Sequence, residues 1–297
     1  MTSSQSVHPN ELVVVTGAST GMGAATAKEL AHRGFHVLAG VRRQADADAL
    51  RADGIEPQIL DITVDSDVTA IADRVARDRR PLRALINNAG IAINSPVETL
   101  PIAQWRRQFE VNLFGHIAII QALLPALIRS SGTVVNISSV GGKVVLPTYG
   151  AYAGSKFALE AASDALRREV ADLGVKVVVV EPGAVKTAMP ERGIATAQEL
   201  IADMSAAQLA RYGDLNTAVT AQARSFLDVG VPAEHAARVI AKAATASRPR
   251  TRYTIGRDAA ILVRISRLVP DRVLDRIVRR NLRSFTGKST SVGAVQV

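Results

Sequence analysis

Leu12-Val13-Val14-Val15-Thr16-Gly17-Ala18-Ser19-Thr20-Gly21-Met22-Gly23 is the stretch that decides the fold. Leu12 to Thr16 reads as a buried strand, and Gly17, Gly21 and Gly23 follow it directly. An Ala-rich helical pattern then runs from Gly21 to Arg33. The glycines leave out side chains where backbone must approach a pyrophosphate. The helix N-terminus behind them offers free N–H groups and a favourable dipole. In isolation the trio also fits a tight strand-to-helix turn with no ligand, and its spacing is not the usual G-x-G-x-x-G. No Gly-Lys-Ser/Thr follows, which rejects an NTP-hydrolysing P-loop.

Working outward, strands and helices alternate. Strands are predicted at Phe35–Gly40, Gln58–Leu60, Ala84–Asn87, Thr133–Ile137 and Val175–Glu181. Helices are predicted at 45–52, 66–77, 102–129 (kinked near Pro125) and 152–173. Alternation of this kind implies an α/β fold, a doubly wound Rossmann-type parallel sheet covered on both faces. Ligands bind such sheets beyond the carboxyl ends of the strands. The marked motifs all fall there: the glycine loop, Asp61-Ile62, Asn87-Asn88-Ala89-Gly90, Ser138-Ser139 and Pro182-Gly183. Five loops converging on one edge say more than any one motif.

The chain of 297 residues is 47% hydrophobic with no Cys, which suits one domain with one substantial core. Without Cys there is neither a disulfide framework nor thiolate chemistry. Five His without zinc-ligand spacing argue against a metal site. The polar stretch Met1 to Asn10 lacks a signal-peptide core, and no run of eighteen apolar residues appears, so a cytoplasmic location is expected. The net charge of +9 is concentrated: Arg250 to Arg283 holds ten Arg and three Asp, a local +7. No nucleic-acid-binding module accompanies it.

The chemistry lies in Ser139, then Tyr152 thirteen residues on, then Lys156 four after that. Free tyrosine ionises near pH 10, about three units too high for a base at neutral pH. A cation nearby favours the phenolate, and residues four apart share a helix face, which sets Lys156 beside Tyr152. Tyr152 could then give a proton to a carbonyl oxygen or take one from an alcohol, while Ser139 holds the same oxygen. Proton transfer beside a dinucleotide suggests hydride transfer. Taken singly, Tyr152-x-x-x-Lys156 is an amphipathic pair, Ser139 a strand-end cap and Asn112 a polar helix residue. Tyr149 has Ala153, not Lys, four residues on and reads as loop packing or pocket lining.

Together these residues resemble the short-chain dehydrogenase/reductase family. Thr16-Gly17-x-x-x-Gly21-x-Gly23 is similar to its cofactor loop, Asn87-Asn88-Ala89-Gly90 to its central-strand motif and Asn112 to its helix-borne Asn. Ser139, Tyr152 and Lys156 match its catalytic positions, and Pro182-Gly183-Ala184-Val185-Lys186-Thr187 its nicotinamide-side loop. The likeness covers about residues 12 to 187 and leans toward the steroid and retinol dehydrogenase branches.

The resemblance implies Asn112, Ser139, Tyr152 and Lys156 as the catalytic set. Lys156 would also bind the nicotinamide ribose, and Asn112 would position a water in a proton relay. Cofactor contacts would come from Gly17, Ser19, Thr20, Gly21, Met22, Arg42, Asp61, Ile62, Asn88, Ala89, Gly90, Pro182, Gly183, Val185 and Thr187, with Tyr152 and Lys156. Asp61 would meet the adenine amino group; its alternative is a strand-end turn. Asn87 would hold the central strands together through backbone bonds. Thr187 would meet the carboxamide; its alternative is a helix N-cap. The family also implies homo-oligomers formed through its two long helices.

An NAD enzyme usually carries Asp or Glu at the end of the second strand, where it would repel a 2′-phosphate. Here Val41 is followed by Arg42 and Arg43, so NADP(H) is expected, with Arg42 as the main contact; NAD(H) is the alternative. Ser19 and Thr20 place no basic residue in the glycine loop.

Residues 188–231 have weak helical periodicity and occupy the place of a substrate loop. Met189, Met204, Leu209, Tyr212 and Leu215 read first as simple core and none is assigned to the site; their alternative is the lining of an apolar pocket, which would suit a steroid, retinoid, long-chain or terpenoid alcohol or ketone. From about residue 258 onward, apolar positions Ile261, Ile265, Leu268, Leu274, Ile277, Val278 and Leu282 alternate with arginines, including Arg267. Such a segment either packs on the protein itself or a second copy, which is the expectation, or lies on an anionic membrane. Ser284 to Val297 reads as a frayed tail. The competing functional reading is a non-catalytic dinucleotide-binding regulator on the same fold, which would most naturally have lost Tyr152 or Lys156. A nucleotide-binding methyltransferase would leave the Tyr–Lys pair unexplained.

Overall fold

The computed structural model describes residues 10–266 and 268–286. Arg267, most of Met1 to Asn10 and most of the expected C-terminal tail lie outside the described residues.

Short Val-, Ile- and Leu-rich runs form the sheet. They are β1 (Leu12–Val15), β2 (His36–Val41), β3 (Ile55–Ile59), β4 (Leu82–Asn87), β5 (Thr133–Ile137), β6 (Lys176–Pro182) and, after a two-stranded pair β7 (Val185–Lys186) and β8 (Val231–Pro232), β9 (Arg252–Ile255). The sheet has seven strands in the order β3-β2-β1-β4-β5-β6-β9, with every pairing parallel. All four residues of β1 are buried, as a strand covered on both faces requires.

Two apolar layers cover the sheet. On one face α1 (Gly21–His32), α2 (Gln44–Leu50) and α9 (Ala233–Thr245) pack through Ala27, Leu30, Leu50, Ala236 and Ile240. On the other, α3 (Asp65–Ala76) and α5 (Gly115–Ser130) contribute Val68, Ile71, Ile119, Leu123 and Leu127. Each large aliphatic side chain fully withdrawn from water contributes about 1.5–3 kcal/mol before conformational entropy is counted. The chain order reverses between β1 and β4, which opens a crevice at their carboxyl ends.

The helix expected over 102–129 differs in construction. It comprises α4 (Ile102–Phe109), a π-helical turn at Glu110–Phe114 and α5. Pro125 lies inside α5 and does not end it. Pro125 and Gln121 both face outward, so water can take the carbonyl that the missing N–H leaves unpaired. By length and composition the Ile102–Ser130 stretch could cross a membrane, but Ile119, Leu123 and Leu127 are buried on the sheet, as in a core helix. Helix α6 (Gly150–Glu169) starts two residues earlier than expected.

The weakly periodic segment folds as two long helices, α7 (Ala188–Ala202) and α8 (Ala206–Val229). Ser205 caps α8 in a reciprocal box with Gln208, a signal written in the sequence. The C-terminal segment forms α10 (Arg257–Ser266) and α11 (Asp271–Thr286). Leu282, Val278 and Phe285 of α11 pack on Ala218 and Val219 of α8. Part of the apolar stripe therefore docks on the protein's own body, as expected, while Ile261, Leu268 and Ile277 remain exposed. Ser284 to Thr286, read as the start of a frayed tail, complete α11.

Candidate active site

The carboxyl edge of the sheet opens into one cleft of about 1490 Å³. Every residue expected at the site lines it except Asn112. At one end the glycine loop turns from β1 into α1. Gly17 and Gly21 have φ of +64° and +58°, the left-handed region that L side chains rarely adopt. A Cβ at Gly17 would come within 2.7 Å of the Ala89 backbone, and one at Gly23 within 2.3 Å of the Gly17 carbonyl. No side chain caps the N-terminus of α1 and no acid stands in its first turn. Its free N–H groups therefore face the cleft beside Ser19, Thr20 and Met22, ready for an anion. A dinucleotide pyrophosphate fits this cradle.

The β4 loop is braced against the glycine loop. Asn88 Nδ2 donates to the carbonyls of Thr16 and Gly17, both at 3.0 Å, and Thr16 Oγ1 accepts from the backbone N–H groups of Asn88 and Ala89. The Asn88 amide thus builds the loop, and its cleft-lining surface is what a ligand would meet. Asn87 ties strands through its side chain, Nδ2 donating to Asn136 Oδ1 at 2.9 Å, where backbone bonds were expected. Asp61 forms the strand-end turn: Oδ1 accepts from Thr63 N and Thr63 Oγ1, while the residue still lines the cleft with Ile62.

Ser139, Tyr152 and Lys156 meet at the centre. Ser139 is both cap and site residue. Its Oγ accepts from Gly141 N at 3.0 Å, and both Ser139 Oγ and the Tyr152 ring lie against Gly141, 3.4 and 3.0 Å from where its Cβ would stand. Burial pushes the Tyr152 phenol up, and the neighbouring Ser139 hydroxyl partly offsets this. The expectation that Lys156 brings the Tyr152 pKa below its ordinary value is corrected: burial raises it, and the Lys156 ammonium donates to the Ile137 carbonyl at 2.8 Å. Burial brings Lys156 down to about 8, with the Glu160 carboxylate one turn further along α6 pulling the other way. Tyr149 packs edge-on against Tyr152, ring centroids 6.2 Å apart.

Asn112 lies in the π-helical turn and is fully buried. Its Oδ1 accepts from Ile91 N at 2.9 Å, and its Nδ2 donates to Ile91 O at 3.0 Å and to Ser155 Oγ at 3.2 Å. Ser155 in turn donates to the Tyr152 carbonyl. Asn112 therefore locks the loop after Gly90 and, through Ser155, the first turns of α6. π-Turns recur at functional sites because they open the regular backbone ladder. Pro182, Gly183 and Val185, expected on the nicotinamide side, line the same cleft. Thr187 stands at the N-cap position of α7 without making a side-chain cap, so its hydroxyl is left for a ligand.

At the second-strand end, Arg43 is paired with Asp46, Nε and Nη2 at 2.8 and 2.7 Å. Arg42 has no ion-pair partner among the described residues and lines the cleft. Of the five residues whose alternative is pocket lining, only Met189 lines the cleft. Tyr212 donates to Glu98, which Arg211 also pairs. Leu215 packs near α11, Met204 is buried against Asn216 and Leu209 is exposed. The chamber wall comes instead from Ile93, Ile194, Ile201, Val219 and Phe226.

Sequence reasoning missed the support behind Lys156. Glu160 and Glu181, nearly buried, share Lys143 and Arg252: Lys143 reaches Glu160 at 2.7 Å, and Arg252 reaches Glu160 at 3.0 Å and Glu181 at 3.3 Å. It also missed His116, whose Nε2 donates to the Ala89 carbonyl at 2.7 Å. The members of that network are far apart in the chain, and only the fold joins them.

This geometry agrees with the comparisons. Residues 11–198 match the short chain dehydrogenase family. The chain belongs to that family of oxidoreductases. It is 32% identical to the NADPH-dependent 3-dehydrocapnine reductase of Ornithobacterium rhinotracheale, over 93% of this chain and 99% of the relative. It is 36% identical to mouse retinol dehydrogenase 5, over 90% and 87%, in line with the expected retinol dehydrogenase likeness. A short chain dehydrogenase from Burkholderia cenocepacia in complex with NADP superposes with a TM-score of 0.70 at 25% identity, covering 92% of this chain and 98% of that one. One from Burkholderia phymatum in complex with NAD shares the fold, with a TM-score of 0.73 at 21% identity over 86% and 92%.

Proposed function

We propose that this oxidoreductase uses NADP(H) to interconvert a hydroxyl and a carbonyl group on a small apolar substrate, with Tyr152 as the acid/base. The observation that carries the reading is the juxtaposition of Ser139 and Tyr152 against Gly141, in the cleft that begins at the α1 cradle. The nicotinamide supplies or accepts the hydride. Burial keeps the Tyr152 phenol protonated at neutral pH, which suits a proton donor to a developing alkoxide. Ser139 holds that oxygen with a second hydrogen bond. For the reverse reaction the phenol must lose its proton, and a Lys156 ammonium turned from Ile137 toward the phenol would favour that loss.

The phosphorylated cofactor is supported by Arg42 free at the cleft edge and by the absence of an acid at Val41. The relative that is NADPH-dependent and the B. cenocepacia complex with NADP point the same way. The apolar substrate is supported by the Ile93, Ile194, Val219 and Phe226 wall. Pairing of copies through the long helices belongs to the same proposal, supported by the exposed Phe114 and Phe157 beside and on them.

The test is Tyr152→Phe, assayed by NADPH absorbance over a panel of apolar ketones and aldehydes. Cofactor binding should persist while kcat falls by about 10²–10⁴-fold. Turnover close to that of the unaltered protein would refute the mechanism.

A further inference from the structure

The segment after Thr187 carries no legible motif, yet it brings one more cation to the cofactor end of the cleft. Helix α7 begins hard against the cradle: the Thr187 side chain lies about 3.0 Å from where a Cβ on Gly21 would stand. On its second turn is Arg192, which is exposed and lines the same cleft as Arg42, Arg43 and Asp46. The positive charge of Arg192 reaches Asp46 on α2, as do those of Arg43 and Arg42, and each helps to hold that carboxyl below its ordinary range. Arg192 thus lines the cleft within electrostatic reach of Asp46, the residue that pairs with Arg43 at the β2 end.

The charges are unequally occupied. Arg43 is taken up by Asp46. Arg42 and Arg192 have no ion-pair partner among the described residues. Two guanidiniums without ion-pair partners, one from the β2 end and one from α7, line one cleft and suit a dianionic group between them, since each can offer two parallel N–H donors. A phosphate on the adenosine ribose is the group of that charge which this end of the cleft would receive.

We propose that Arg192 closes over the cofactor's 2′-phosphate opposite Arg42, so that α7 is strapped down by the phosphate that distinguishes NADP(H) from NAD(H). The proposal rests on the NADP(H) reading above and adds a residue from α7. It has a consequence for substrate: Met189, Ile194, Ala197 and Ile201 of α7 form one side of the apolar chamber. Fixing Arg192 fixes that side. The phosphorylated cofactor would thereby shape the chamber as well as drive the reaction.

The experiment is equilibrium titration of full-length protein with NADPH and with NADH, followed by nicotinamide fluorescence. It compares the unaltered chain, Arg42→Ala, Arg192→Ala and Arg192→Lys, with circular dichroism to confirm folding. Loss of a charge-assisted bond predicts that Arg192→Ala weakens NADPH by about tenfold or more and leaves NADH nearly unchanged, with Arg192→Lys recovering part. Trypsin gives a second readout on the unaltered chain: NADPH should slow cleavage after Arg192 more than NADH does.

If Arg192→Ala keeps full NADPH affinity while Arg42→Ala loses it, the strap is overturned and the NADP(H) reading stands. Equal weakening of both cofactors also overturns it, since the contact would then be to a group they share. If the unaltered chain binds NADH as tightly as NADPH, the NADP(H) reading itself falls.

Discussion

His116 makes the fold sensitive to mild acid in a way that one substitution can isolate. The ring is fully buried, and Nε2 lies 2.7 Å from the Ala89 carbonyl. A carbonyl only accepts, so Nε2 carries the hydrogen, and Nδ1 is a lone pair without a partner among the described residues. Burial, and then the Lys156 charge, hold this imidazole down to about 3 from its usual 6.5, against the Ala89 bond. The folded protein keeps the ring neutral down to about pH 3, whereas the unfolded chain protonates it near 6.5. Between those values the unfolded state binds more protons, so this stability is complete above pH 6.5 and drains away as pH falls.

Each pH unit in that window is about 1.4 kcal/mol, so the ring alone should cost about 2 kcal/mol by about pH 5. Glu56, held down to about 2 chiefly by Arg74, begins to lose its contribution only as pH falls toward its ordinary range. Glu181, raised by burial, works in the opposite sense by gaining a proton in the folded state. The profile of the unaltered protein is therefore composite. His116→Gln removes one component: the amide retains a donor for Ala89 and does not titrate. Urea unfolding of both proteins at about pH 7 and about pH 5 should show the unaltered protein losing about 2 kcal/mol more than the variant. Equal losses would refute the buried neutral imidazole, and so would a larger loss in the variant.

Two substitutions test the scaffold of the site. Gly23→Ala should drive a methyl into the Gly17 carbonyl, 2.3 Å from the ideal Cβ position. It should lower stability by about 1–3 kcal/mol and abolish NADPH binding, read by thermal melts and fluorescence titration; unchanged binding would show that the glycine loop does not hold cofactor. Arg252→Ala should leave Glu160, Asp164 and Glu181 with one fewer cation and cost about 3–5 kcal/mol in urea unfolding. A loss below about 1 kcal/mol, the level of a surface pair, would show that water screens the network.

The fold class and the convergence of Ser139, Tyr152 and Lys156 on one cleft were legible because both depend on local signals. Leu12–Val15 must be buried on both faces, Gly17 and Gly21 must accept positive φ, and Tyr152 and Lys156 must share a helix face. None of these needs knowledge of a distant residue. The π-turn at Glu110–Phe114 was not legible, because nothing in Val111-Asn112-Leu113 separates it from α-helix until Asn112 finds Ile91 across a loop. The substrate wall was not legible for a similar reason. Leu215 packs in the cluster that α11 completes through Leu282, and Tyr212 bonds Glu98 after β4, partners distant in the chain.

By itself, then, the order of residues determined the strand–helix alternation, the glycine cradle and the spacing of Ser139, Tyr152 and Lys156, since each follows from backbone sterics and the period of a helix. Only the tertiary structure decided which charges are satisfied. It turned Lys156 toward Ile137, paired Arg43 with Asp46, left Arg42 and Arg192 facing one cleft, and closed Glu160 and Glu181 around Arg252. The physical reason is that a charge's state depends on burial and on partners many residues away, and both come into being only when the sheet assembles.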